Sequence, residues 1–202
     1  MDPFGQAIDA LGLAVAEPVR RFHAVQSEAR YQGEASVERG QGRLVRLLLG
    51  LGRFPPCCQA VPLSLQIRND ASGAEWIRLF GGHETRSSLR YDPVRKLVLE
   101  RLGPFTIGMA LTAEAGRLHV AVRHLWVAGL PLPRILLPIS DSVEYGDAAG
   151  RFCFDISARL WGLGRLIRYH GWVAVPVTEA ETGRQAAPRD APHDPAQTHL
   201  RD

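Results

Sequence analysis

Polar and apolar positions change period once along the chain, near residue 28. Before it, Phe4, Ile8, Leu11, Val15, Val19 and Phe22 recur at spacings of three and four, which predicts a helix over Pro3–Ser27, or two short ones broken near Pro18. After it the period is two. In ARYQGEASVE, Tyr31, Gly33, Ala35 and Val37 share one face and Gln32, Glu34, Ser36 and Glu38 the other, a half-buried strand. One helical stretch interrupts: GRLVRLLLGLGRFPP carries Arg43, Arg46 and Arg53 on one narrow sector, leucines elsewhere, and Pro55–Pro56 as its stop.

From Val61 the alternation is continuous. Val61, Leu63, Leu65 and Ile67 align, and NDASG turns the chain into EWIRLF. There Trp76, Arg78 and Phe80 share a face, and Gly81–Gly82 make a tight hairpin into HETRSSLRY. KLVLERL, FTIGMALTA and RLHVAVRHLW follow, the last with Leu118, Val120, Val122 and Trp126 expected on one side. AGLPLPRILLP is too rich in proline for a central strand and is expected to be an apolar loop with one helical turn. Beyond SVEYGDAAG, RFCFDISARL and GRLIRYHGWVAV are the last strands.

Eight to ten strands in successive hairpins, with helices near the start, predict an α+β fold. Its centre is a long curved antiparallel β-sheet, a half-barrel or incomplete barrel, with one or two N-terminal helices packed on it. Residues 1–177 form one domain on this basis, and residues 178–202, polar and aperiodic, are expected to be a disordered tail.

Composition narrows the chemistry. With 202 residues, 46% hydrophobic and 22% charged, the chain can bury a full core. Its net charge is +3 and Lys96 is the sole lysine, so 23 of the 24 basic residues are arginine. That usage suits anionic partners but equally follows from an arginine-biased genome, and the charge is too small and too spread for a nucleic-acid binder. Cys57, Cys58 and Cys153 are odd in number with no C-x-x-C, so neither a disulfide framework nor a metal site is expected. The first 25 residues have no uninterrupted apolar run of the signal-peptide type, and no run of 18 apolar residues would span a bilayer. A reducing cytoplasm is the expected compartment, with membrane-surface contact open and spanning not.

Gly-rich nucleotide loops and a G-x-S-x-G elbow are absent, and no cofactor is expected. His119 and His124, five apart on one strand, are expected on opposite faces. Glu100 is different: it shares a face with Val98 and Leu102 and needs a partner, for which Arg78 is the natural candidate. If they meet inside the sheet they form a structural pair or the polar anchor of a pocket. Glu144 and Asp155 carry the same ambiguity, and Tyr169 adds a hydroxyl. Three segments mix leucine with arginine, namely Gly42–Phe54, Gly129–Leu137 and Leu160–Tyr169. They suit a membrane interface, the lid of an apolar cavity, or ordinary capping of the sheet.

The ordered series G-R-L-x-R-L-L (from Gly42), F-P-P (Phe54–Pro56), V-P-x-x-x-x-I (Val61–Ile67), W-x-R-x-F-G-G (Trp76–Gly82) and L-E-R-x-G-P (Leu99–Pro104) continues with G-L-P-L-P (Gly129–Pro133), F-x-F-D-I (Phe152–Ile156) and R-Y-x-G-W (Arg168–Trp172). It resembles the bacterial family of domain of unknown function 4166 over most of residues 5–175. The resemblance implies no assigned activity and no catalytic residues. It also implies an association, in some members, with a saccharopine-reductase-like dehydrogenase, which here would be a separate partner.

The expected function is a non-catalytic module binding an apolar or lipid-like small molecule, with Trp76, Arg78, Phe80, Glu100, Trp126 and Tyr169 as ligand-binding residues. An enzyme or accessory domain serving that reductase, and a structural interaction module, are the alternatives.

Overall fold

The computed structural model describes residues 1–176; the tail expected at 178–202 lies outside the described residues. Helix α1 (Pro3–Leu11) and helix α2 (Glu17–His23) come first, the second entered through Pro18. Strand β1 (Glu28–Arg39) and helix α3 (Arg43–Leu51) follow, the helix ending before Arg53. Then come β2 (Cys58–Asp70), β3 (Gly73–Phe80), β4 (His83–Asp92), β5 (Leu97–Leu102), β6 (Phe105–Glu114) and β7 (Arg117–Val127). A two-residue strand β8 (Leu130–Pro131), a 3-10 turn at Arg134–Leu136 and β9 (Ser142–Gly146) lead to β10 (Phe152–Leu160) and β11 (Gly164–Val173).

From β1 to β8 each strand pairs antiparallel with the next; β9 pairs with β7 and β10, β10 with β11, and β11 returns to pair with β1 from Gly33↔Val173 to Arg39↔Ile167. The sheet is therefore a closed ten-strand up-and-down barrel with three short helices, dominated by strand. This corrects the expected open half-barrel of the α+β class. A single curled sheet leaves two edges of unpaired amides, and joining the first strand to the last removes both. The hairpin pattern is as expected at Gly81–Gly82, where φ of 53° and 99° are the two positive values that a tight turn between twisted strands requires.

Alternate connections lie at opposite barrel ends. The α1–α2 hairpin closes one end, burying Phe4, Ile8, Val19 and Phe22, and Phe22 stacks on Phe152 of β10 at 3.8 Å between ring centroids. Helix α3, inserted between β1 and β2, sits at the other end. There its last turn meets the β5–β6 turn, where any side chain at Gly103 would crowd the Leu51 carbonyl. Val45 and Leu49 are its buried stripe.

Two departures have local causes. A bulge in β7 pairs Gly108 with His124 and Met109 with Val122, leaving Arg123 over. Beyond it the alternation inverts, so Leu125 and Val127 face inward and Trp126 faces out with His124. Trp126 therefore leaves the interior face assigned to it, and His119 and His124 both point outward rather than to opposite faces. The second departure is β9, lying in a segment that the period-two pattern does not mark. It pairs with β7 through Leu118↔Glu144 to Val120↔Ser142 and with β10 through Gly146↔Phe152 to Val143↔Asp155, completing the wall.

Candidate functional site

Inward-facing side chains of most strands surround a cavity of about 320 Å³. Its walls are mainly aliphatic and aromatic, with Phe4 and Phe22 entering from the α1–α2 end and Leu48 and Phe54 from the α3 end. Five of the six residues singled out in the sequence, Trp76, Arg78, Phe80, Glu100 and Tyr169, line it. Trp126 does not: it packs outside the barrel over Gly108 and stacks on His124 at 5.5 Å.

Arg78 and Glu100 meet. The Arg78 Nη2 donates to Glu100 Oε1 at 3.2 Å, its Nη1 donates to Ser87 Oγ at 2.9 Å, and its Cζ lies 4.8 Å from the centre of the Trp76 ring. The two charged side chains are 15% and 12% exposed, so the pair is held in a medium where neither charge could stand alone. Strand pairing explains the encounter: Arg78 on β3 and Glu100 on β5 both face inward and flank β4, which supplies Ser87 between them. Tyr169 on β11 stands with its ring edge toward Phe80 at 6.2 Å. Burial first, with Glu100 and Glu144 adding to it against the opposing pull of Arg78, pushes its phenol up to about 12. It keeps its proton at neutral pH, and its hydroxyl makes no hydrogen bond among the described residues.

A second polar group sits at the α1–α2 end, and sequence reasoning passed over most of it. His23, fully buried, donates from Nδ1 to Asp2 Oδ2 and from Nε2 to Glu144 Oε2, both at 2.8 Å. The Trp76 Nε1–H donates to Asp2 Oδ1 at 3.0 Å, and the Phe4 amide caps α1 on Asp2 Oδ2 at 3.2 Å. The imidazole packs against Phe4 at 4.9 Å and Trp76 at 6.0 Å, and those two rings are 5.7 Å from each other, so the three form one aromatic cluster. Burial works to lower its pKa, but the Glu144 and Asp2 carboxylates outweigh that and raise it to about 9. His23 is thus a cation at neutral pH with both nitrogens donating. It ties the helical cap to β9 and β3, and it is no general base there. An Asp-Pro pair just ahead of the first apolar-periodic run is a helix-start signal that could have marked Asp2; nothing in the sequence sets His23 apart from the other histidines.

Glu144 belongs to both groups, because it binds His23 and lines the cavity. Asp155, raised alongside it, faces out and takes a two-pronged ion pair from Arg168 at 2.6 and 2.9 Å. In or beside the lumen three carboxylates, Asp2, Glu100 and Glu144, face two cations, Arg78 and His23, a net single negative charge. No cluster of metal-ligating side chains occurs among the described residues, and none of their helices is long and apolar enough to cross a membrane.

Comparison with curated proteins and with solved structures finds no match for this chain. The motif series agrees with one further finding, a match over residues 15–173 to a family model, and the chain belongs to that family, described as Domain of unknown function (DUF4166).

Proposed function

We propose that the barrel is a non-catalytic carrier for a largely apolar small molecule whose polar head donates hydrogen bonds and is neutral or cationic. The observation that carries this is the lumen itself: a mainly apolar cavity of about 320 Å³ holding a small polar group, Arg78–Glu100, Glu144 and Tyr169. Small-molecule sites have this character, apolar walls with few oriented polar groups, and closed barrels of this size hold one small ligand. The head chemistry follows from charge. Arg78 is already engaged by Glu100 and Ser87, Glu144 is bound by His23 through Oε2, and the net single negative charge of the whole group disfavours an anion. A hydroxyl or amine would instead donate to Glu144, while a hydroxyl could also accept from Tyr169, whose phenol stays protonated.

The test titrates the purified protein with a long-chain alcohol and with the fatty acid of equal length, following tryptophan fluorescence. The alcohol should bind and the acid bind more weakly. Tyr169→Phe should weaken the alcohol by roughly tenfold, the worth of one hydrogen bond. Binding of neither compound, or binding unaffected by Ile107→Trp, which fills the lumen, would overturn the reading.

A further inference from the structure

Among the described residues, the large apolar side chains left exposed are not scattered: all but Met1 and Val94 lie at or near the α3 end of the barrel. Helix α3 turns a second leucine stripe outward. Leu44, Leu47 and Leu51, spaced three and four apart, are each at least half exposed, opposite the buried Val45 and Leu49. Beside it, the β10–β11 turn presents Trp161, 79% exposed, and the segment after β7 presents Leu130 and Ile135, each 71% exposed. The three leucine–arginine segments seen in the sequence thus converge on one face. Interleaved with them are Arg43, Arg46, Arg53 and Arg134, none of which has a carboxylate partner among the described residues, whereas nearby Arg159, Arg165 and Arg168 are paired to Asp141, Glu38 and Asp155.

This face also holds the weakest part of the barrel wall. Between β8 and β9 the chain runs beside β7, but after the Leu132 amide bonds the Leu125 carbonyl the next backbone bond to a neighbouring strand is at Ile139, with Arg159. Pro133 and Pro138 remove donors from that stretch. Leu132, Leu136 and Pro138 from it line the cavity. Here the lumen is separated from the exposed face by side chains and not by a hydrogen-bond ladder.

We propose that the α3 end is a docking face for an anionic phospholipid bilayer: the leucine stripe and Trp161 enter the interface, these four arginines meet headgroup phosphates, and the segment 132–138 faces the acyl region. Charge complementarity selects a bilayer as the occupant. Exposed leucines on one helical face, an arginine border and an interfacial tryptophan are what such a surface requires, and each arginine contributes about 1 kcal/mol near an anionic leaflet. Docking stands without the carrier reading; that ligand would pass through segment 132–138 rests on it.

The test is co-sedimentation of the full chain with vesicles of phosphatidylcholine alone or mixed with phosphatidylglycerol. The protein should pellet with the mixed vesicles, more weakly as salt is raised. R43Q together with R46Q should weaken this by roughly thirtyfold, the loss of two headgroup contacts. L47D with W161S should abolish pelleting, with circular dichroism confirming that each variant folds; should the second variant not fold, the arginine pair alone decides. Protein that stays in the supernatant with mixed vesicles overturns the proposal, as does a dimer in light scattering that the leucine and tryptophan substitutions dissociate, because a second copy would then cover the face. Vesicle binding by a protein that takes up no alcohol would leave docking intact and sink the carrier reading alone.

Discussion

His23 shows how much one side chain decides here. Its two ring nitrogens bridge Asp2 ahead of α1 and Glu144 on β9, so the helical cap and the barrel wall share one proton-dependent link. Its folded-state pKa, about 9, lies above the unfolded value of 6.5. The stabilisation is therefore fully present below pH 6.5 and is lost as pH rises to about 9, a change on the order of 3 kcal/mol. Tyr31 and Tyr169, both pushed up to about 12 chiefly by burial, do not titrate in that window. Urea midpoints should fall across it, and His23→Gln, which cannot charge, should flatten the slope while lowering stability at the acid end. Parallel slopes in the two proteins would refute the link. The Arg78–Glu100 pair was legible in the sequence because strand alternation places both on the inward face and an inward carboxylate demands a cation. The His23 bridge was not: its partners lie 21 and 121 residues away, and no local pattern joins them.

Among the elements, periodicity served where it was unbroken and failed where one residue shifted it. Strands β2 to β6 follow the alternation as written. In β7 the extra residue Arg123 inverts the faces beyond it, and Trp126 moves from the lumen to the outside. A bulge leaves no mark in a hydrophobic pattern until the partner strand is known. The proline-containing segment after β8 was expected to be a loop, and it is one, yet it takes the place of a wall stave above β9. Its amides between Arg134 and Leu137 make only local bonds, Leu136 to Pro133 and Leu137 to Arg134. Hydrogen exchange followed by mass spectrometry should find these amides exchanging near the rate of free peptide, while Val98–Arg101, paired on both sides in β5, exchange only on global unfolding. Equal protection of the two segments would show that the wall is as firm there as elsewhere.

At the scale of the molecule, the decision between an open sheet and a barrel rests on one long-range pairing, β1 with β11. Hairpin turns announce each strand's partner locally, but the first and last strands are more than a hundred residues apart and nothing between them states that they meet. The physical trace that was available is small side chains on both inward faces. Gly33 in β1 and Gly171 in β11 lie where the backbone of the other strand approaches closely, so a Cβ on Gly33 would overlap the Trp172 carbonyl and one on Gly171 the Glu34 carbonyl. Glycine in a strand interior is otherwise unfavourable, and its presence there marks close approach of another backbone. Gly33→Val should therefore force the seam apart, costing about 3 kcal/mol as overpacking of a closed wall does. Because closure defines the lumen, the same variant should lose alcohol binding under conditions where circular dichroism still reports native strand content. Gly129→Val, at a glycine where added atoms meet open space, is the control: its positive φ of 84° strains the turn, but the seam and the lumen are untouched. A Gly33→Val protein that keeps both its denaturation midpoint and its binding would show that the cavity persists without a sealed β1–β11 seam.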